Sequence, residues 1–107
     1  YDIKKHLSYT ESTNLDEYIQ DLDVLYVTRI QKERFPDEEE YMKVRGSYVI
    51  GQDAVKKMKD DSIILHPLPR IDEISTDVDS MNQAKYFEQA EYGKFTRAAL
   101  LNLILNE

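Results

Sequence analysis

Ser62-Ile63-Ile64-Leu65-His66-Pro67-Leu68-Pro69-Arg70 is the run on which the architecture turns. Three apolar residues in succession, two of them β-branched, predict a short buried strand. That strand cannot continue past His66, because Pro67 and Pro69 lack the N–H that a ladder requires. Each proline also turns the residue before it away from helix. The result is a stiff loop at the carboxyl end of a strand, which is where open α/β sheets hold ligands. Here the carbonyls of Pro67 and Leu68 are available acceptors, and His66 and Arg70 are side chains that a ligand could meet. A Leu-Pro bond such as Leu68–Pro69 can be cis at about 0.5–1 kcal/mol, a small cost for a tight turn. Taken alone, such a run is more often an ordinary proline-rich loop closing a core strand than a binding site.

A second strand is predicted at Val24-Leu25-Tyr26-Val27, whose continuous apolar character suits a parallel strand covered on both faces. It runs into Thr28-Arg29-Ile30-Gln31-Lys32-Glu33-Arg34. Arg29 presents a planar fork of donors that fits a carboxylate two-handed, and Gln31 and Lys32 add further donors. Runs of this kind are more commonly solvated loops with local ion pairs, and both readings stand at this point.

Around these strands the pattern is mostly helical. His6 to Tyr9 has the length of a short strand, and Thr10 to Asn14 is a polar break holding candidate helix caps. Leu15, Tyr18, Ile19 and Leu22 fall on one face of a helix over 15–22, with Asp16 and Glu17 at its positive end. After Phe35-Pro36, residues 37–45 read as a short helix with acids first and Lys43 and Arg45 last, ended by Gly46. The acids Asp37 to Glu40 are better explained as that helix start than as a metal cluster, because consecutive helical residues point in different directions. Ser47 to Ile50 links to a helix over 51–58 that carries Val55 and Met58 inward and Lys56, Lys57 and Lys59 outward.

Beyond Arg70 a long polar loop around one short turn reaches Asn82, and such loops often carry function. From Gln83 the chain is predicted helical to its end, with Gly93 dividing it into two helices. The second, Thr96 to Leu105, is apolar on most of its surface and needs cover on all sides. A chain of 107 residues can hardly supply that cover, so something outside it is expected to pack there.

Composition narrows the classes. The length suits one domain. With no cysteine there is no disulfide framework and no thiolate metal site, which fits a reducing cytosol. No apolar run approaches membrane-spanning length, and no signal peptide is visible. A start at Tyr1 rather than methionine suggests a fragment or a processed piece. The net charge of −7 argues against general nucleic-acid binding, since no basic stripe is built. Any anion bound here must be held by a few placed cations.

Three stretches in this order, Asp23 to Phe35 (DVLYVTRIQKERF), Ser62 to Ile74 (SIILHPLPRIDEI) and Ala84 to Leu101 (AKYFEQAEYGKFTRAALL), together resemble the aspartate carbamoyltransferases. The likeness is to the second half of the catalytic chain and covers essentially all of residues 1–107, as an aspartate-binding domain without its carbamoyl-phosphate-binding partner. TRIQKER with HPLPR is the pattern that separates the aspartate enzymes from their ornithine-using relatives.

The resemblance implies a carbamoyl transfer from carbamoyl phosphate to L-aspartate, giving N-carbamoyl-L-aspartate and phosphate in pyrimidine biosynthesis, with no metal and no organic cofactor. It implies that Arg29 and Gln31 hold the aspartate carboxylates. It further implies that the carbonyls of Pro67 and Leu68 receive hydrogens of the reacting groups, that the Leu68–Pro69 bond is cis, and that the loop from Arg34 to Tyr41 moves on closure. That loop reads FPDEEEY here, so its length and charge can differ from other members. The family's Ser-Thr-Arg-Thr phosphate loop is absent, and His66 is not the family's catalytic histidine. The chain alone therefore carries half an active site. The implied partners are the missing amino-terminal domain, further copies in a homotrimer of full catalytic chains and, in some members, regulatory chains; the implied location is cytoplasmic.

The resulting expectation is an α/β, three-layer Rossmann-like domain with a mostly parallel sheet of roughly four strands and helices on both faces. Its ligand edge would be built by loops 28–34 and 66–70. The rival readings are a carbamoyltransferase with another amino-acid acceptor and a non-catalytic α/β anion-binding module.

Overall fold

The computed structural model describes residues 7–44 and 48–106. Its centre is a parallel pair, β1 (Val24–Tyr26) and β2 (Ile63–Leu65), in the register Val24↔Ile63, Leu25↔Ile64 and Tyr26↔Leu65. Ile64, wholly buried, is paired on both sides: Leu25 stands opposite it in β1, and Ala84 lies across a single parallel bridge. That bridge is closed by Ile64 N–H donating to the Gln83 carbonyl at 2.7 Å and Lys85 N–H donating to the Ile64 carbonyl at 3.1 Å. A separate bridge joins Ile50 and Ile74.

The parallel α/β architecture is as expected, but among the described residues the sheet has two strands rather than roughly four. Ile50 runs at once through Gly51 into helix, and Ile74 is followed by the 3-10 turn Thr76–Ser80. Each segment is thus left with one residue to pair. No strand occurs over 7–9 either; Leu7 and Tyr9 are exposed, and His6 lies outside the described residues.

The helices are α1 (Glu38–Val44), α2 (Gln52–Val55) and α3 (Tyr86–Leu105). Before α1, the Asp37 carboxylate accepts the Glu40 N–H at 2.8 Å, so the acid run does start a helix. The expected end at Arg45 and Gly46 lies outside the described residues. The helix expected over 15–22 is reduced to a 3-10 turn, Leu15–Glu17, capped by Asn14, whose side chain accepts the Asp16 N–H. So short a segment is marginal as a helix in water, and one turn already seats Ile19 in the core with no exposure. Similarly, α2 stops at Val55 and tightens through Met58, yet both are buried as expected.

Gly93 does not divide the last helix. Glycine costs about 1 kcal/mol against alanine in a helix interior, and the good helix formers around it hold α3 continuous for 20 residues. The buried core gathers Ile19, Val27, Val55, Ile64, Val78 and Tyr86. Beyond Tyr86, α3 leaves that core. Tyr92, Phe95, Leu100, Leu101 and Leu103 are all more than half exposed, as the sequence expectation of an uncovered helix requires.

Candidate functional site

Parallel registry brings the carboxyl ends of β1 and β2 out side by side, and Val27 N–H donates to the Leu65 carbonyl at 2.9 Å. The loops carrying Arg29 and His66–Arg70 therefore share one rim. They are joined there by a residue that the sequence reading passed over. The Glu73 carboxylate, only 4% exposed, accepts the Ile30 N–H at 3.2 Å through Oε1 and the Ile71 N–H at 2.8 Å through Oε2. Oε2 also stands 3.7 Å from His66 Nε2. One buried carboxylate thus ties the arginine loop to the proline loop. Burial pushes its pKa up, but the amides of Ile71, Glu73 itself and Ile30, with His66 nearby, outweigh this and hold it below the usual glutamate value. Tyr48 adds a second pin, its hydroxyl donating to the Thr28 carbonyl at 2.7 Å.

Arg29 is half-buried on this rim. Its Nη2 donates to Glu33 Oε1 at 2.7 Å, while its buried Nε has no partner among the described residues. Gln31 caps the 3-10 turn Lys32–Arg34 through its backbone, and no side-chain hydrogen bond of its own completes that cap. Lys32 does not join the rim as a free donor; it pairs with Glu38 at 2.8 Å and lies over the Tyr41 ring. The loop therefore carries the local ion pairs Lys32–Glu38 and Arg29–Glu33, together with a guanidinium at Arg29 that is incompletely engaged among the described residues.

In the proline loop, Pro67 is exposed, Leu68 is half-buried at φ 51°, and the Leu68–Pro69 peptide is cis. Among the described residues, no hydrogen bond takes up the carbonyls of Pro67 or Leu68. The expectation that a ligand could meet His66 and Arg70 does not hold. His66 is fully buried. The Arg70 guanidinium is gripped by both oxygens of Asp79 and by the Tyr86 hydroxyl at 3.2 Å, and it covers the Tyr86 and Phe87 rings. A guanidinium already matched by a carboxylate fork has little left for a second anion. Burial, and then Asp79 as hydrogen-bond partner, push the Tyr86 phenol up to about 12, so it stays a protonated donor to Asp79.

Glu73, Asp79 and Tyr86 were not legible as site supports. The one available signal was an acid pair, Asp72-Glu73, framed by Ile71 and Ile74. Which acid turns inward is decided by the fold. A groove of about 630 Å³ runs beside β1, lined by Leu15, Tyr18, Leu25, Tyr26 and Tyr48 among others; it reaches Thr28 but does not include the proline loop. Among the described residues, no cluster of three or more potential ligands could hold a metal, and no helix is long and apolar enough to cross a membrane.

The rim thus offers a cation with donor capacity and a pair of untaken carbonyl acceptors, which together suit a ligand bearing both a carboxylate and an N–H. The chain has relatives among known proteins. The family model "Aspartate/ornithine carbamoyltransferase, Asp/Orn binding domain" matches residues 2–104. The aspartate carbamoyltransferase catalytic subunit of Nitrosopumilus maritimus is 78% identical over the whole chain, which covers 35% of that relative. The catalytic subunit of M. jannaschii aspartate transcarbamoylase superposes with a TM-score of 0.79 at 52% identity, covering 97% of this chain and 34% of that one. The Trypanosoma cruzi aspartate transcarbamoylase in complex with carbamoyl phosphate and aspartate superposes at 0.72 with 43% identity, covering 80% and 28%. The chain accordingly spans about a third of the length of the relatives it matches. With the family model covering nearly every residue, and the two strand-end loops meeting where the motifs required, the chain belongs to the aspartate/ornithine carbamoyltransferase family, in its Asp/Orn-binding domain.

Proposed function

We propose that this chain is the aspartate-binding half of an aspartate carbamoyltransferase. In the reaction, the amine nitrogen of L-aspartate forms a bond to the carbonyl carbon of carbamoyl phosphate. The bond from that carbon to the bridging oxygen breaks, phosphate leaves with the electron pair, and the amine loses a proton. The observation that carries the reading is the shared rim: Glu73 ties the Arg29 loop to the Pro67–Leu68 loop through one buried carboxylate. The relatives that superpose on it include structures holding aspartate, carbamoyl phosphate or carbamoyl aspartate.

In this reading Arg29 and Gln31 hold the aspartate carboxylates. Each charge-assisted hydrogen bond contributes roughly 1.5–3 kcal/mol, so a fork with two of them can both bind and orient the substrate. The carbonyls of Pro67 and Leu68 accept N–H groups as the tetrahedral centre forms. Most of the catalysis is then positioning and electrostatic stabilisation of the oxyanion. The carbamoyl-phosphate site belongs to a domain outside this chain, the exposed apolar face of α3 packs against that domain, and the loop from Arg34 to Tyr41 closes over bound substrate. The working enzyme is an oligomer of full catalytic chains, a homotrimer that regulatory chains can join, and acts in cytoplasmic pyrimidine biosynthesis without a cofactor.

The test is an acceptor screen on the full-length protein with carbamoyl phosphate, together with Arg29→Ala. Aspartate should be the preferred acceptor, and the variant should raise KM for aspartate and lower kcat. Preference for ornithine, or unchanged kinetics in the variant, would overturn the assignment.

A further inference from the structure

His66 is held on three sides in a place no substrate can reach. Its side chain has no solvent exposure, and its backbone N–H donates to Gln89 Oε1 in α3 at 3.1 Å. Its Nδ1 accepts the Leu68 N–H at 2.8 Å. An accepting Nδ1 puts the proton of the neutral ring on Nε2, and Nε2 faces Glu73 Oε2 at 3.7 Å. The ring therefore stands between the carboxylate that joins the two loops and the turn that carries the Pro67 and Leu68 carbonyls.

That turn is stiffened by Pro67 and Pro69 and its Leu68 side chain packs against the core, but it has a single backbone donor with which to fix its orientation. Prolines flank Leu68 on both sides, so its amide is the only backbone donor between His66 and Arg70. Leu68 also occupies the left-handed region at φ 51°, which a branched side chain rarely adopts without compensation. We infer that His66 is a positioning residue for the carbamoyl-transfer site, in which its neutral Nδ1 holds the Leu68 amide and so aims the carbonyls of Pro67 and Leu68 at the aspartate amine. This inference rests on the function proposed above. Protonating Nδ1 would replace the acceptor by a donor and break the contact. Burial disfavours that charge most; Glu73 opposes the effect, and Arg70 and Arg29 add to it.

Three substitutions in the full-length enzyme separate positioning from simple core filling. His66→Asn places its side-chain oxygen near the position of Nδ1, His66→Gln places its amide near Nε2, and His66→Leu removes both polar atoms. Two readouts are used. The first is kcat and KM for aspartate, with KM for carbamoyl phosphate alongside. The second is hydrogen–deuterium exchange of a peptide spanning 66–70, in which the prolines leave Leu68 as the sole internal amide before Arg70. A misplacement on the 1 Å scale can cost on the order of 100-fold, so His66→Leu and His66→Gln should lose roughly 10- to 100-fold in kcat/KM for aspartate. Both should speed Leu68 exchange and leave KM for carbamoyl phosphate little changed. His66→Asn should retain slow Leu68 exchange and most of the activity.

Asn and Gln falling equally would overturn the inference in favour of core packing, even if the Leu variant fails to fold. Retained kcat/KM in the Gln variant would overturn it as well. A wild-type enzyme without aspartate activity would instead sink the proposed function and this catalytic role with it. Leu68 exchange unaffected by Gln would remove the hydrogen bond from the account whatever the activity.

Discussion

Replacing Glu73 by glutamine is the sharpest probe of how the rim is held. The substitution keeps the size of the side chain and one carbonyl oxygen, but turns the other acceptor into an NH2 donor. In the structure both oxygens are in use, at 3.2 Å from Ile30 N and 2.8 Å from Ile71 N. Glutamine can satisfy only one of these amides, and the other then faces a donor in a site that is 4% exposed. A buried donor left without its partner costs about 1–3 kcal/mol. The loss of charge-assisted character at the surviving bond acts in the same direction, so a total near 2–3 kcal/mol is expected.

Thermal or urea unfolding of the full-length protein measures this directly. At about 2–4 °C per kcal/mol for larger domains, the midpoint should fall by about 4–12 °C. The pH dependence supplies an independent check. Because the folded carboxyl titrates below the usual glutamate value, the unfolded state binds more protons as pH falls from about 4.5 toward the folded value. The stabilisation from Glu73 is therefore present above that window and lost through it, and Glu73→Gln should flatten that part of the stability–pH curve. A variant that melts within about 0.5 kcal/mol of wild type, the range of an inconsequential surface change, would refute the bridging role.

Other expectations are as direct. The 107-residue chain on its own, given labelled carbamoyl phosphate and aspartate, should form no N-carbamoyl-aspartate, because it lacks a Ser-Thr-Arg-Thr phosphate loop; steady turnover would contradict a half-site. Gly93→Ala should stabilise α3 by up to about 1 kcal/mol, since the added Cβ would meet only the flexible tip of Arg97 at 3.1 Å. A lower melting temperature in that variant would mean that the Arg97 guanidinium cannot yield.

The two loops were identifiable from local chemistry. Prolines at 67 and 69 end a strand in any context, and an arginine after an apolar run reads as an anion donor wherever it is placed. Element boundaries were less legible. The pattern at 15, 18, 19 and 22 has helical spacing, yet one 3-10 turn suffices to bury Ile19. Gly93 looked like a break because glycine is a poor helix former. Nineteen helical neighbours outvote it in α3, where the hydrogen-bond ladder is cooperative.

The sequence alone determined the parallel α/β class, the pair of strand-end loops and the uncovered apolar helix, since each follows from residue type and spacing within a short window. Only the tertiary structure decided which polar groups would be spent inside the protein. It withdrew Arg70 by matching it to Asp79 and Tyr86, buried His66 beneath the turn, and placed Glu73 between Ile30 and Ile71. Those pairings join residues up to 43 positions apart. Their strength comes from shared burial, where a polar atom without a partner is costly, and burial is a property of the assembled fold rather than of any segment.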